Sequence, residues 1–335
     1  MHVKFGNVTF GWPVGWLLAA MIGVASPAPA GANEAFVFVT NWFAQAEHGG
    51  FYQALAEGIY QKNGLDVTIS MGGPQVNVFQ LMAAGQADCV MGTSDIQTMQ
   101  TRAGGVPVVT VAAFFQKDPT VLIAHADVTS IEDLRDKKIL ISTGAHRSYW
   151  PWLKKKYGFV DGQTGPYTFS YQPFIADKNM AQQGYITNDP PILRNLGIET
   201  SVFLLSDGGF PAYANTVSCM DRTVADRRRQ VGAFVRASAQ GWKSYLADPA
   251  AGNALIKRDN PRMTDAQLAY AWATMKQTGM VTGGDAATGG IGVVTAAREM
   301  ASYDFLVGEN LLDPAKVSVE ATFDAAPVGQ NTVLP

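Results

Sequence analysis

Apolar, β-rich runs alternate with helical segments between residues 34 and 115, and this alternation constrains the fold more than any other feature of the chain. The helical segments carry apolar residues on one face, as Phe51, Leu55 and Ile59 do in the first of them. Strand–helix–strand repeats predict a mainly parallel sheet with helices on both faces. Strands are predicted in EAFVFVTN, LDVTISM, ADCVMG and PVVTVAAF, and helices in FYQALAEGIYQKN, VNVFQLMAAG and DIQTMQTRAG.

A second alternating series begins at residue 120, and the chain becomes mainly helical after Val224. The pattern therefore indicates an α/β fold with two lobes and a helical return onto the first lobe. Strands are predicted in TVLIAHA, KILIST, YTFSYQP and SVFLLS, and helices in SIEDLRDK, SYWPWLKKKYG and both ends of MAQQGYITNDPPILRNLG. The later helices are predicted in VADRRRQVGAFVRASAQGWKSYLAD, DAQLAYAWATMKQTG and VVTAAREMASYDFLVG.

The first 32 residues are typical of a secretory signal peptide. Lys4 supplies positive charge, the run 16–24 is apolar but too short to span a bilayer, and small residues offer cleavage sites after Ala30 or Ala32. We expect residues 1–32 to be removed and the mature protein to be periplasmic. Removal leaves 25 − 1 = 24 basic residues against 28 acidic ones, a net charge of −4.

The charge and the motif content exclude several classes of function. A net charge of −3 on 335 residues gives no basic footprint, so we do not expect a nucleic-acid partner. The sequence shows no P-loop, no Ser-His-Asp arrangement and no cluster with metal-ligand spacing, so we expect neither a cofactor nor a metal. Nothing in the sequence indicates an oligomer, and we expect a monomer.

The chain has two cysteines, Cys89 and Cys219, each in an apolar, strand-like stretch. Two residues are too few for a disulfide scaffold. They are either two buried free thiols or a single bridge, which an oxidising compartment would permit.

The loops that follow the strands are the candidate binding site, because ligands of open α/β sheets lie beyond the carboxyl ends of the strands. Five of the six loops carry an aromatic residue or a hydroxyl, and the Gly72–Gly73 pair allows close backbone approach. Each loop alone is equally consistent with a turn, a helix cap or a core residue, so the prediction depends on their convergence. The loops are NWFAQAEHGG, MGGPQVN, GTSDIQ, FFQKDP, STGAHRSYW and GYITNDPP.

Three stretches, NWFAQAEHGGFYQALAEGIYQKNGLDVTI, GGPQVNVFQLMAAGQADCVMG and FFQKDPTVLIAH, resemble the NMT1/THI5-like substrate-binding proteins of ABC importers. The resemblance covers residues 33–320. It implies a type II periplasmic binding protein with two lobes, residues 33–115 plus 214–335 and residues 116–213. The hinge crossings would lie near 115–120 and 209–215. In that topology YANTVSC rejoins lobe 1 antiparallel to its neighbours, which would bring Cys219 near Cys89.

The resemblance also implies a ligand site between the lobes. Trp42 matches the aromatic residue that stacks on the ligand in pyrimidine-binding relatives, although Phe43 could take that place, and Glu47–His48 matches the polar end of the same loop. The other expected site residues are Tyr52, Gly73, Asn77, Thr93, Ser94, Gln116, Tyr185, Asn188, Asp189, Phe210 and Tyr213.

These residues favour a planar nitrogen-heteroaromatic ligand such as a thiamine-pyrimidine precursor, since Glu47 and Asp189 suit amino or cationic groups. The alternatives are a binder of sulfonate- or nitrate-type anions, or a ligand sensor for a membrane receptor. An enzyme is not expected, because the related pyrimidine synthases carry Lys and His in the loop after the third strand and a cysteine-rich motif. Here that loop is GTSDIQ. The expected protein partner is an ABC permease in the inner membrane.

Overall fold

The computed structural model of the protein describes residues 1–6, 11, 33–73, 75–329 and 332–335. The chain divides into two units, Met1–Ala32 and Asn33–Pro335, and all of the described regular structure lies in the second. Most of the predicted signal peptide, residues 1–32, falls outside the described residues. In the part of the chain that is described, no helix is long and apolar enough to cross a membrane.

Ten strands are formed by the described residues. They are β1 (Glu34–Val39), β2 (Leu65–Ser70), β3 (Cys89–Ser94), β4 (Val108–Phe115), β5 (Thr120–His125), β6 (Lys138–Ile141), β7 (Thr164–Pro166), β8 (Met180–Tyr185), β9 (Thr200–Leu204) and β10 (Ala214–Met220).

The α-helices alternate with these strands and then dominate the last third of the chain. They are α1 (Gly49–Ala56), α2 (Ile59–Lys62), α3 (Val78–Ala83), α4 (Asp95–Ala103), α5 (Tyr149–Tyr157), α6 (Gln172–Ala176), α7 (Asp189–Asn195), α8 (Asp221–Asp226), α9 (Arg228–Ala247), α10 (Ala250–Asp259), α11 (Asp265–Thr278), α12 (Ala286–Gly289), α13 (Ala296–Gly308) and α14 (Ala326–Gly329). Short 3-10 helices occupy Ala46–His48, Glu132–Asp136, Thr143–Arg147, Asp161–Gln163 and Val319–Ala321.

The strands form two five-stranded sheets, in the orders β2-β1-β3-β10-β4 and β7-β6-β8-β5-β9. We call the part built on the first sheet lobe 1 and the part built on the second lobe 2. In lobe 1, β1 is parallel to β2 and β3, whereas β10 is antiparallel to both β3 and β4. The chain therefore passes between the sheets twice, after β4 and after β9, and the expected antiparallel return of YANTVSC is confirmed.

Two segments differ from the sequence prediction. YTFSYQP is not a strand, because β7 ends at Pro166 and α6 begins at Gln172. Phe169 between them has a φ of 59°, which is incompatible with an extended strand. The first end of MAQQGYITNDPPILRNLG is not helical but is the strand β8, which is paired on both sides by β5 and β6. Burial between two neighbours outweighs the weak local preference of this polar run.

Close packing of α1 on α9 explains the glycine pair that ends the first loop. A Cβ on Gly50 would lie 2.1 Å from the Trp242 ring, and one on Gly241 would lie 2.2 Å from the Gly50 carbonyl oxygen. Phe36 and Tyr60 stack on Phe234 of α9, with ring centroids 4.7 and 5.4 Å apart. These contacts fix the loop that precedes α1, which carries the first group of candidate site residues.

The helical return also contacts lobe 2. Leu306 of α13 belongs to the same buried cluster as Met99 of α4 and Trp150 of α5. Lys155 of α5 forms an ion pair with Glu309 just beyond α13, with Nζ and Oε1 3.0 Å apart. Helix α13 therefore packs against both lobes.

Candidate functional site

Two adjoining cavities lie between the lobes. The aromatic cavity, of about 480 Å³, and the polar cavity, of about 500 Å³, share the lining residues Thr93, Gln183 and Tyr185. The aromatic cavity is also lined by Asn41, Trp42, Gln45, Glu47, Gly73, Val76, Tyr167, Phe169, Tyr171, Gly184, Asn188, Asp189 and Asn215. The polar cavity is also lined by Ser94, Ile96, Gln97, Gln100, Thr101, Asp118, Thr120, Ser142, Gly144, Ala145, Arg147, Ser148, Tyr149 and Phe210.

The aromatic cavity has a pair of rings at its mouth, one from each lobe. Trp42 follows β1, and its carbonyl accepts a hydrogen bond of 2.8 Å from the Thr40 hydroxyl. Phe169 of lobe 2 faces it, with ring centroids 5.8 Å apart and planes inclined by 31°. Phe169 is 63% exposed and has a left-handed φ of 59°. An exposed aromatic ring held on a strained backbone is costly, which makes this position a candidate for function.

Two buried carboxyl groups lie deeper in the aromatic cavity. Glu47 accepts a hydrogen bond from the Thr187 hydroxyl, and Asp189 accepts bonds of 2.6 Å from the Tyr171 hydroxyl and the Tyr185 backbone N–H. Burial raises the pKa of both carboxyls, and the negative charge of Asp189 adds to the rise at Glu47. The cavity therefore presents acidic acceptors that would be stabilised by hydrogen-bond donors or positive charge on a ligand.

Hydrogen bonds join the two lobes across the cleft. The bond from Thr187 to Glu47 joins lobe 2 to lobe 1. On the other side, the Gln100 side chain of α4 donates a bond of 2.7 Å to the Arg147 carbonyl of lobe 2. Both bonds would break if the lobes moved apart.

Side-chain amides organise the wall of the polar cavity. Gln97 Oε1 accepts a bond of 2.9 Å from the Thr93 N–H, and Gln183 Oε1 accepts bonds from the Ser142 N–H at 2.6 Å and the Tyr149 hydroxyl at 2.8 Å. Burial raises the pKa of Asp118, whose Oδ1 accepts a bond of 2.8 Å from the Thr120 N–H at the first crossing.

The structure brings nine of the predicted residues to these cavities. Eight of them come from four of the predicted loops, and Phe210 comes from the second crossing. They are Trp42, Glu47, Gly73, Thr93, Ser94, Tyr185, Asn188, Asp189 and Phe210.

Three other predicted residues lie in lobe 1 away from the cavities. Phe43 turns towards Gly73 and the Arg262 guanidinium, 5.5 Å from its ring centroid. His48 is fully buried with Nε2 3.2 Å from Asn41 Oδ1, and burial lowers its pKa to about 3. Tyr52 is fully buried in the core of lobe 1.

The side chains of the remaining three predicted residues form hydrogen bonds within the protein and line neither cavity. Asn77 caps α3, its Oδ1 accepting a bond of 3.2 Å from the backbone N–H three residues later. Gln116 donates bonds of 3.0 and 3.1 Å to the carbonyls of Ala113 and Val293. Tyr213 donates a bond of 2.7 Å to Asp285. These bonds fix a helix start and the two crossings.

Sequence reasoning missed the aromatic wall from lobe 2. Tyr167, Phe169 and Tyr171 all line the aromatic cavity, yet their alternation predicts a strand. The signal in the sequence is three aromatic residues at every second position followed by Pro173, a pattern that a strand would satisfy equally well. Asn215 was also missed; its amide donates a bond of 2.7 Å to the Glu47 carbonyl.

The two cysteines lie outside both cavities. Cys89 and Cys219 are opposite each other in the β3–β10 pair, with Cα atoms 4.3 Å apart, and their sulfurs form a disulfide. Both residues are fully buried and line neither cavity.

The model of the family described as NMT1/THI5 like matches residues 45–252, which include most of both sheets and residues of both cavities. The chain belongs to the NMT1/THI5-like family.

Two relatives are binding proteins by name. The riboflavin-binding protein RibY of Chloroflexus aurantiacus is 29% identical over 237 residues, which are 67% of each chain. The formylaminopyrimidine-binding protein of Halalkalibacterium halodurans is 24% identical over 231 residues, 65% of this chain and 68% of that one.

The fold is similar to that of solved structures. The aliphatic sulphonate binding protein SsuA of Escherichia coli superposes with a TM-score of 0.64 and 15% identity, covering 86% of this chain and 96% of that one. The desulfurization enzyme DSZB superposes with a TM-score of 0.59 and 12% identity, covering 89% and 98%. Such distant likeness shows the periplasmic binding protein fold, which occurs in binding proteins and in an enzyme.

Proposed function

We propose that the protein is the periplasmic solute-binding component of an ABC importer, and that it captures a planar nitrogen-heteroaromatic ligand in the aromatic cavity. The observation that carries this proposal is the combination of the Trp42–Phe169 ring pair with the buried carboxyls of Glu47 and Asp189. Rings offer stacking surface, and the acids accept hydrogen bonds from ring N–H or amino groups. Both relatives are named for ligands of this chemical class, riboflavin and formylaminopyrimidine.

Stacking of the ligand on Trp42 would require Phe169 to move. A ring sandwiched between two others needs about 7 Å between the outer planes, two separations of about 3.5 Å. The observed centroid distance of 5.8 Å is shorter. The exposed loop of Phe169 is therefore the part that would swing out to admit the ligand and swing back over it.

Closure then supplies the signal for transport. The ligand contacts both lobes in the closed state and one lobe in the open state, so its binding shifts the population towards closure. The hydrogen bonds Thr187–Glu47 and Gln100–Arg147 would add to the stability of the closed state. We propose that residues 33–115 with 214–335 form one moving body and residues 116–213 the other, and that the closed form docks on a membrane permease.

A sulfonate- or nitrate-type ligand is disfavoured by the charges of the cavities. Arg147 is the one Lys or Arg among the described lining residues, and the aromatic cavity holds Glu47 and Asp189 instead. An enzymatic role is disfavoured because the junction of β3 and α4 holds Thr93, Ser94 and Asp95 rather than a Lys and a His. A sensor that passes the closed form to a receptor would use the same site.

A thermal-shift screen of the mature protein tests the proposal. The library would contain pyrimidines, thiamine precursors, purines, flavins, sulfonates, nitrate and amino acids. A ligand that binds the native state raises the melting temperature by mass action. We expect hits among nitrogen heteroaromatics, and hits confined to sulfonates or nitrate would overturn the ligand assignment. Loss of uptake when an adjacent permease gene is deleted would separate transport from sensing.

A further inference from the structure

We infer that the ligand has two parts, a planar ring held in the aromatic cavity and a hydroxylated chain held in the polar cavity. The inference rests on the proposed function, because it takes the ring site as given. What it adds is the chemical class of the rest of the ligand and the residues that select it.

The two cavities adjoin at a junction formed by three shared residues. Thr93 comes from lobe 1, Gln183 and Tyr185 come from lobe 2, and all three line both cavities. Each cavity alone has the volume of a small-molecule site, for which about 300–1,000 Å³ is usual. A single substituted ring would occupy the aromatic cavity alone and leave the polar one to solvent, whereas a ring with a chain could occupy both.

Gln183 presents a hydrogen-bond donor at this junction. Its Oε1 accepts bonds from the Ser142 N–H and the Tyr149 hydroxyl. A backbone N–H can only donate, so the atom it meets must be the amide oxygen. The Nε2 group is then turned away from Ser142, and it has no partner among the described residues.

Helix α4 adds both a donor and an acceptor to the same wall. The Gln97 Oε1 is occupied by the Thr93 N–H, which leaves its Nε2 as a donor. The Gln100 Nε2 is occupied by the Arg147 carbonyl, which leaves its Oε1 as an acceptor. Both residues line the polar cavity, and in the described part of the chain neither remaining atom has a partner.

This mixture selects hydroxyl groups rather than an anion. A hydroxyl both donates and accepts, so a chain of hydroxyls can satisfy Gln97, Gln100 and Gln183 together. A phosphate or carboxylate only accepts, and it would face the Gln100 oxygen and the Asp118 carboxyl, which is 95% buried and lines the same cavity. Arg147 alone would oppose that repulsion among the described lining residues.

The experiment uses matched pairs that differ by the chain alone. Isothermal titration of the mature protein would compare lumichrome with riboflavin, and adenine with adenosine, with flavin mononucleotide as the anionic member. We expect the hydroxylated member of the pair that fits the ring site to bind about tenfold tighter than the bare ring, because two or more hydrogen bonds are added. Flavin mononucleotide should bind no tighter than riboflavin.

A substitution in the polar cavity tests whether the hydroxylated chain binds there. Gln97→Leu removes the donor at similar size and should lower the ratio of the two affinities about fivefold. Gln86→Leu is the control, since Gln86 is exposed and lines neither cavity. The ratio compares two ligands on one protein, so partial misfolding of a variant does not change it.

The outcomes separate the two proposals. Equal affinities within both pairs, or tightest binding by a single-ring aminopyrimidine, would overturn the two-part ligand and leave the proposed function standing. Tighter binding of flavin mononucleotide than of riboflavin would replace the hydroxyl subsite by an anion subsite. Binding by no ring compound at all would overturn both proposals.

Discussion

Phe169 of lobe 2 lies over Trp42 of lobe 1, with their ring centroids 5.8 Å apart and their planes inclined by 31°. The two residues are 127 positions apart in the sequence (169 − 42) and are brought together by lobe closure. The pair covers the aromatic cavity, and Phe169 keeps a left-handed backbone to do so.

Phe169→Ala and Phe169→Gly should weaken ligand binding equally, by about tenfold, because both remove one face of the stack. They should differ in stability, because alanine keeps the unfavourable left-handed φ and glycine relieves it. We expect the glycine variant to be more stable by about 1 kcal/mol in urea unfolding. Equal stability would show that the backbone at this position is not strained.

Glu47→Gln should stabilise the protein at neutral pH. Burial raises the pKa of Glu47 above its ordinary value of 4.5, so the folded state holds this proton more tightly than the unfolded state. Stability is therefore lost as the pH rises past 4.5 through the raised pKa, and glutamine avoids the loss. We expect a gain of about 1 kcal/mol near pH 7 and none near pH 3, with weaker ligand binding.

The control for that prediction is Glu199→Gln, since Glu199 is exposed and lines neither cavity. Urea unfolding across the pH range checks both variants. A stability difference between Glu47→Gln and the wild type that did not depend on pH would contradict the explanation.

The Cys89–Cys219 disulfide should stabilise lobe 1 without affecting the ligand. The bridge joins neighbouring strands separated by 130 residues in sequence, and closing such a loop stabilises by about 2–4 kcal/mol. Reductant should lower the midpoint of urea unfolding and leave the ligand affinity of the folded protein unchanged. Alkylation of unfolded protein should label no cysteine before reduction and both afterwards, and labelling before reduction would refute the bridge.

Thr187→Val should shift the protein towards the open state. It removes the hydroxyl that donates to Glu47 across the cleft while keeping the side-chain shape. We expect a larger radius of gyration by X-ray scattering without ligand, and about tenfold weaker binding. Thr164→Val is the control, because its bond of 2.9 Å to the Asp161 carbonyl stays within lobe 2. If the two variants had the same radius of gyration and the same affinity, the Thr187–Glu47 bond would not hold the lobes together.

The alternation of strands and helices could be predicted from the sequence, because periodicity is a local property. The topology could be predicted only through the family resemblance. The neighbourhood of Cys219 and Cys89 was expected on that basis. The aromatic wall of Tyr167, Phe169 and Tyr171 was not foreseen, because alternating aromatics satisfy a strand and a cavity wall equally well. Which of the two structures forms depends on the contact between Phe169 and Trp42, and that contact joins two segments that are distant in the sequence.

The direction of each side chain within a loop could not be predicted from the sequence either. Trp42 and Phe43 are adjacent and chemically similar, and only packing sends one to the cavity and the other to Gly73 and Arg262. His48 looked like a ligand contact next to Glu47, yet it is buried on Asn41 as part of the loop's support.

The most direct test of the central claim is isothermal titration of the best heteroaromatic ligand against the wild type, Trp42→Ala and Phe43→Leu. If the aromatic cavity binds the ring, Trp42→Ala should weaken binding by about tenfold or more, and Phe43→Leu should stay within about twofold. Unchanged affinity in Trp42→Ala, or a larger loss in Phe43→Leu, would contradict the claim that this cavity holds the ligand.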